Sequence, residues 1–127
     1  MVGRVLIVDD EPDVVELVEM LLRRSGYEVA TAATGMEGLM KAHAEGPDVI
    51  LLDVMMDDMD GWETLKLLRL DERTSHIPVI MVSARMEPRD KIRGLQEGAV
   101  DYVTKPFSIQ DLLGTVAAVM AREDGAR

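Results

Sequence analysis

The chain has 127 residues, which suits one compact domain and leaves little room for a second. It contains no cysteine, which excludes disulfides, zinc–thiolate centres and thiol catalysis. Its 24 acidic residues outnumber 14 basic ones, and the formal charge of −10 argues against direct nucleic-acid binding. There is neither an apolar run of membrane-spanning length nor a signal-peptide pattern, so we expect a soluble cytoplasmic protein.

Short apolar runs alternate with helix-period segments along the whole chain. Strands are predicted at residues 5–8, 27–31, 49–52, 77–82 and 100–103. Helices are predicted at residues 12–24, 35–45, 61–70, 88–97 and 108–122, followed by a frayed tail. Alternation of this kind favours an α/β domain with one parallel five-stranded sheet and helices on both faces. We expect the strand order 2-1-3-4-5, with the more polar strand 2 at an edge.

Details of three helices can also be predicted. Thr34 and Ser108 are expected to be the N-caps of the second and fifth helices. The second helix is expected to turn four residues inward, namely Met36, Leu39, Met40 and Ala42. Trp62, at the start of the third helix, is expected to be partly exposed.

Polar side chains follow the predicted strands at their carboxyl ends. Strand 1 ends in Asp9 and Asp10, strand 3 ends in Asp53, strand 4 ends in Ser83, and strand 5 leads into Lys105. In open α/β sheets, ligands bind at this edge, where the strand order reverses between strands 1 and 3. We therefore expect these five side chains to converge on one site.

The residue types in this group indicate phosphoryl chemistry. Three close carboxylates repel one another unless a cation compensates, and oxygen ligands without cysteine or histidine suit Mg²⁺. A metal ion, an ammonium group and a hydroxyl together can cradle a phosphoryl group. A carboxylate in that cradle can act as a nucleophile and form an aspartyl phosphate, and Asp53 on the central strand fits that role best.

Four stretches of the sequence resemble the receiver domain of bacterial and archaeal two-component response regulators. They are VLIVDDEP (5–12), DVILLDVMMDDMDG (48–61), IPVIMVSA (77–84) and GAVDYVTKPF (98–107), in the order and spacing of that family. The resemblance covers residues 3–122 and implies a flavodoxin-like, doubly wound sheet. On this basis we expect a receiver domain at residues 1–123 and a short tail at 124–127.

The resemblance implies a role for each matching site residue. Asp53 corresponds to the phosphoacceptor and also to a Mg²⁺ ligand. Asp10 resembles the direct Mg²⁺ ligand, Asp9 its partner acting largely through water, and the backbone carbonyl of Met55 completes the protein ligands.

The resemblance also implies roles for the remaining site positions. Ser83 resembles the hydroxyl residue that binds the phosphoryl oxygen, and Lys105 the residue that pairs with the phosphate. Tyr102 resembles the switch aromatic, which moves inward when Ser83 is drawn to the phosphate. The bond between Lys105 and Pro106 matches a peptide bond that is usually cis in the family.

The chain departs from the family pattern in two places. Asp57 stands where proline is usual, which predicts a more mobile and more acidic loop beside the metal site. Positions that are commonly charged in dimerising family members are uncharged here, namely Val100, Gly114, Thr115 and Ala117. We expect no charged dimer through helix 4, strand 5 and helix 5. Met55 and Arg85 are expected to tune the lifetime of the phosphate.

The function implied is a phosphorylation-controlled signalling switch. A histidine kinase or phosphotransfer protein would supply the phosphoryl group, and a downstream protein would bind the face formed by helix 4, strand 5 and helix 5, without direct contact to nucleic acid or membrane. The chain would not be an enzyme, beyond catalysing its own phosphotransfer and dephosphorylation. A stand-alone regulator, a phosphorelay intermediate and a receiver from a longer protein all remain open.

Three alternative classes of protein fit the sequence less well. A static adaptor would lack phosphorylation, although its site residues are complete here. An aspartate-nucleophile phosphatase would need a second aspartate where Met55 stands. A carrier of flavin mononucleotide would need a hydroxyl-rich phosphate loop after strand 1.

Overall fold

The computed structural model describes residues 3–56, 58–84 and 87–125, so Asp57 and Arg85 lie outside the described residues. The strands are β1 (Arg4–Val8), β2 (Glu28–Ala32), β3 (Val49–Asp53), β4 (Val79–Ser83) and β5 (Asp101–Thr104). The helices are α1 (Pro12–Arg24), α2 (Gly35–Glu45), α3 (Gly61–Leu70), α4 (Pro88–Gln96) and α5 (Ile109–Gly125). The predicted element order is confirmed. Strand limits differ by one or two residues, and α5 continues to Gly125 instead of ending near Arg122.

The five strands form one parallel sheet in the order β2-β1-β3-β4-β5, as predicted. All five residues of β3 are buried, which fits a central strand covered on both faces. Strand β2 lies at one edge and has an exposed or half-buried residue at four of its positions. Within the described part of the chain, no helix is both long enough and apolar enough to cross a membrane.

The sheet divides the core into two layers, because alternate side chains of each strand point to opposite faces. In β1, Leu6 and Val8 belong to the layer beneath α2 and α3, whereas Val5 and Ile7 belong to the layer beneath α1 and α5. The alternation is the same in β3 and β4. The strands of the sheet thus lie between the two layers of the described core.

Helix α2 packs differently from the prediction. Met36 and Met40 are 53% and 66% exposed, so the expectation that they face the core is wrong. The buried face instead carries Gly35, Gly38 and Ala42. A Cβ atom on Gly38 would lie 2.8 Å from the Val8 side chain, so the lack of a side chain lets α2 approach β1 closely. The predicted inward positions of Leu39 and Ala42 are confirmed, since Ala42 is buried and Leu39 packs against the core layer beside these small residues.

Helix α4 contacts two aromatic rings through charged side chains and through a buried glycine. Its buried residue is Gly94, and a Cβ atom there would lie 3.5 Å from the Trp62 ring. The Arg93 guanidinium lies 4.6 Å from the centroid of the Trp62 ring, and Lys91 Nζ lies 4.5 Å from that of Tyr102. Trp62 is only 9% exposed, so the expectation of partial exposure is wrong, because α4 covers the ring.

Candidate functional site

Three carboxylates meet at the carboxyl edge of the sheet, as predicted. Asp9 follows β1 and Asp53 ends β3, and these side chains are buried, whereas Asp10 is half-buried. Strands β1 and β3 are neighbours, with Val8 opposite Leu52, so the residues that follow them come together. One oxygen of each carboxylate lies within 4.8 Å of the others.

Lys105 closes the site from the side of β5. Its Nζ donates hydrogen bonds of 2.9 Å to Asp9 Oδ2 and to Glu11 Oε1, and it lies 3.7 Å from Asp53 Oδ2. The backbone positions this lysine as well, because the Lys105 N–H donates to the Ser83 carbonyl at 2.8 Å. The bond between Lys105 and Pro106 is cis.

The Asp53 carboxylate is buried and lies close to the charge of Asp9. Its Oδ1 accepts a long hydrogen bond of 3.3 Å from the Met55 N–H, whereas Oδ2 is buried and has no hydrogen-bond partner among the described residues. Burial, with the charge of Asp9, raises the pKa of Asp53 to about 6, against the opposing effects of Lys105 and the Met55 N–H. The carboxylate is therefore a poorly satisfied anion that a cation would stabilise.

The charge of Lys105 is maintained by its neighbours. Burial alone would lower the pKa of its ammonium group, but the hydrogen bonds to Glu11 and Asp9 and the charge of Asp53 raise it overall. Lys105 therefore stays protonated and supplies one positive charge to a site that contains four carboxylates.

Ser83 and Tyr102 lie along the same side of the sheet. Asp53 is opposite Val82 in the pairing of β3 with β4, so Ser83 follows one position further on the neighbouring strand. Ser83 is 2% exposed. Tyr102, on β5, is half-buried and packs against the core layer beneath α2 and α3. Its ring thus sits between the interior and Lys91 of α4.

Hydrogen bonds made by Gly61 and Asp58 hold the loop between β3 and α3 in place. Gly61 N–H donates to the Val54 carbonyl at 2.8 Å, and a Cβ atom on Gly61 would lie 2.4 Å from the Asp53 carbonyl oxygen, so only glycine fits there. The carboxylate of Asp58 accepts from the N–H groups of Gly35 and Met36 at 3.0 and 3.3 Å. These bonds lower the pKa of Asp58 and join the loop to the start of α2.

Three helix caps support this geometry. Thr34 Oγ1 accepts from the Glu37 N–H at 3.1 Å and Ser108 Oγ accepts from the Asp111 N–H at 3.0 Å, so both predicted caps are confirmed. Asp60 Oδ1 caps α3 through the Glu63 N–H at 2.9 Å. Each cap fixes the point at which a helix leaves the edge that carries the site.

The contact between Glu11 and Lys105 was missed by the sequence analysis. The two residues are 94 positions apart, so no local spacing connects them. The available signal was the position of Glu11 directly after Asp9 and Asp10 at the end of a strand. That placement puts a third acidic side chain at the edge that Lys105 reaches.

The donor set of the site fits a hard divalent cation. Mg²⁺ binds carboxylate and carbonyl oxygens and retains several waters. The three clustered carboxylates supply such oxygens, and the buried Asp53 Oδ2 lacks a hydrogen-bond donor within the described part of the chain. No cysteine occurs in the chain to favour a softer metal.

Comparisons with known proteins agree with this geometry. The family model of the response regulator receiver domain matches residues 5–117. Protein PilH of Pseudomonas aeruginosa is 40% identical over 119 residues, covering 94% of this chain and 98% of PilH. The DNA-binding dual master transcriptional regulator RpaA of Synechocystis is 43% identical over 95% of this chain, which spans only 50% of RpaA.

A solved structure gives a further match. The receiver domain of sensor histidine kinase PA1611 from Pseudomonas aeruginosa superposes with a TM-score of 0.87 and 28% identity, covering 95% of this chain and 99% of that one. That structure has a magnesium ion coordinated in its active-site cleft. The chain spans about half the length of the first curated relatives that it matches. Its fold, its acidic cluster and the family match over residues 5–117 place the chain in the response regulator receiver domain family of two-component signalling proteins.

Proposed function

We propose that this chain is a phosphorylation-controlled switch that takes a phosphoryl group onto Asp53. The observation that carries the proposal is the state of the Asp53 carboxylate. Its Oδ2 atom is buried, has no hydrogen-bond partner among the described residues, and lies 3.7 Å from Lys105 Nζ. An acyl phosphate formed on that oxygen would gain the lysine as a partner for its own oxygens.

The proposed donor is a phosphohistidine of a histidine kinase or of a phosphotransfer protein. An oxygen of Asp53 attacks phosphorus, the phosphorus–nitrogen bond breaks, and its electron pair remains on the imidazole nitrogen. Water later attacks the same phosphorus, the Asp53 carboxylate leaves, and inorganic phosphate is released. The chain in this way catalyses its own phosphorylation and dephosphorylation and acts on no separate substrate.

Mg²⁺ is proposed to bind at Asp9, Asp10 and Asp53, with the backbone carbonyl of Met55 as a further ligand. The cation supplies positive charge that offsets the carboxylates and the phosphoryl oxygens. Charge repulsion at the site supports this assignment, since the charge of Asp9 raises the pKa of Asp53. The magnesium ion in the related PA1611 receiver supports it as well.

The output of the switch is proposed to involve Ser83, Tyr102 and α4. A phosphoryl group adds negative charge and acceptor oxygens next to the Ser83 hydroxyl. Movement of Ser83 towards it would open room for the Tyr102 ring, which in turn contacts Lys91 on α4. A downstream protein would bind the face formed by α4, β5 and α5, where Ile92 and Leu95 are each 56% exposed.

Intact-protein mass spectrometry tests the proposal. The protein is incubated with Mg²⁺ and either acetyl phosphate or phosphoramidate, whose phosphorus–nitrogen bond resembles that of a phosphohistidine. We expect the wild type to gain one phosphoryl group, and we expect Asp53→Asn and a chelator each to abolish the gain. Asp60→Asn is the matched control, because it removes one charge from the same loop and asparagine still caps α3.

Two outcomes of this experiment would contradict the proposal. A phosphoryl group that persists in Asp53→Asn would assign the chemistry to another residue. A wild type that takes up no phosphoryl group from either donor, and none from a histidine kinase or phosphotransfer protein, would identify a static adaptor instead of a switch.

A further inference from the structure

The side chain of Glu11 has no structural task at the helix that it begins. Glu11 is the N-cap residue of α1, a position where a side-chain oxygen normally accepts from the N–H groups of the first turn. Its carboxylate makes no such bond, and Pro12 follows it in the first turn. The Glu11 backbone supplies the helix contact instead, since its carbonyl accepts from the Val15 N–H at 3.0 Å.

The Glu11 carboxylate turns towards the site. Its Oε1 accepts from Lys105 Nζ at 2.9 Å, and its side chain is 57% exposed, whereas that of Lys105 is 12% exposed. The Glu11 N–H also donates to Asp9 Oδ1 at 2.9 Å, which fixes the start of α1 beside the cluster. The lysine is thus held between a buried carboxylate and one at the surface.

The ion pair between Glu11 and Lys105 competes with an interaction between Lys105 Nζ and Asp53. Nζ is within hydrogen-bond distance of Asp9 and Glu11 at 2.9 Å but lies 3.7 Å from Asp53 Oδ2. An ammonium group offers three donors, and two of them are directed to the carboxylates of Asp9 and Glu11. Oxygens of a phosphoryl group on Asp53 would compete with these two carboxylates for Lys105 Nζ.

We propose that Glu11 is a positioning residue that holds Lys105 in the resting state and opposes its transfer to a phosphoryl group on Asp53. This inference rests on the proposed function of Asp53 as the acceptor. Because Glu11 is largely exposed, its pairing with Lys105 is weak enough to be exchanged for a phosphoryl oxygen. Glu11 would therefore set the balance between the resting and the phosphorylated state without touching the reacting atoms.

Binding of beryllofluoride, a stable mimic of the phosphoryl group, tests this role by isothermal titration calorimetry at saturating Mg²⁺. We expect Glu11→Ala to bind it about two- to fivefold more tightly than the wild type, as suits the loss of one exposed ion pair. Saturating Mg²⁺ removes the separate effect of a lost negative charge on cation attraction. Glu16→Ala, which removes an exposed glutamate from the same helix, is the matched control and is expected to bind as the wild type does.

A double-mutant cycle with Lys105→Met isolates the pair. Lys105→Met alone is expected to weaken binding, and Glu11→Ala is expected to have no further effect in that background. Wild-type affinity in Glu11→Ala, or an equal gain in Glu16→Ala, would overturn the role of Glu11. A gain that persists without Lys105 would overturn it too. A wild type that does not bind beryllofluoride would remove the proposed function of Asp53 and this inference with it.

Discussion

Asp53 illustrates how a single residue can be costly to the fold and useful to the site. The protein buries this carboxylate next to Asp9 and leaves Oδ2 without a hydrogen-bond donor among the described residues. Removing charge from such a position relieves desolvation and repulsion together. The same instability makes the carboxylate receptive to a cation or to a phosphoryl group. Its cost to folding should therefore be measurable when no metal is present.

Asp53→Asn is expected to stabilise the metal-free protein at neutral pH. The folded-state pKa of about 6 exceeds 3.8, the ordinary pKa of an aspartate, so the folded wild type binds more protons than the unfolded chain between those pH values. Wild-type stability consequently falls as the pH rises from about 4 to 6, while asparagine has no proton to lose. The difference should reach about 1–3 kcal/mol above pH 6, since each pKa unit corresponds to about 1.4 kcal/mol.

Urea unfolding in the presence of a chelator, from pH 4.5 to 7.5, measures this difference. Asp60→Asn is the control, because its carboxylate is exposed and caps α3. Equal unfolding free energies of wild type and Asp53→Asn at every pH would show that the carboxylate costs the fold nothing. Added Mg²⁺ should narrow the gap, since it stabilises only a protein that binds it.

Among the elements, α4 has the weakest apolar attachment. The large apolar residues of this helix, Ile92 and Leu95, are exposed, and its buried residue is a glycine. Besides the packing of Gly94 against Trp62, two cation–π contacts join α4 to the body, from Arg93 to Trp62 and from Lys91 to Tyr102. Contacts of that kind contribute about 0.5–1 kcal/mol each at exposed sites. An element with so little buried apolar surface is the kind that rearranges first.

The contact of α4 with Trp62 can be followed by fluorescence, since Trp62 is the single tryptophan of the chain. Arg93→Ala should expose the indole and shift its fluorescence emission to longer wavelength, with a loss of about 0.5–1 kcal/mol of stability. Arg89→Ala is the control, because that side chain is 83% exposed and pairs with Glu87, the N-cap residue of the same helix. An unchanged spectrum in Arg93→Ala, or the same shift in both variants, would contradict this account of α4.

For the molecule as a whole, the regular alternation of strand and helix predicts the sheet order and the meeting of Asp9, Asp10 and Asp53. These features depend only on where strands end, and a parallel sheet brings those ends to one edge. The exposure of Met36 and Met40 could not be predicted in this way. The face of α2 is decided by how closely Gly38 can approach Val8, which is a property of the packed structure.

Long-range contacts explain the remaining differences. Trp62 is covered because α4 happens to place Gly94 over its ring, and periodicity within α3 contains no information about α4. The pairing of Glu11 with Lys105 likewise joins residues that only the complete fold brings together. Sequence reasoning therefore predicted that Asp9, Asp10, Asp53 and Lys105 meet at one edge of the sheet, but not that Glu11 pairs with the lysine.

The division of the core by the sheet has a consequence for how substitutions combine. Ile77 belongs to the layer beneath α2 and α3, and Ile7 to the layer beneath α1 and α5. Ile77→Val and Ile7→Val should each cost about 0.5–1.5 kcal/mol in urea unfolding. Because Ile7 and Ile77 belong to different layers, the double variant should equal their sum within about 0.5 kcal/mol. A larger discrepancy would mean that strain passes through the strands.

If the unfolding free energies of the two variants add in this way, the two core layers could be redesigned separately. One half of the interior could be replaced by a library of new apolar side chains while the other half keeps the fold intact. Each core layer could then accumulate substitutions independently of the other. The acidic edge would be different, because β1 and β3 carry side chains of both layers, so its geometry depends on both.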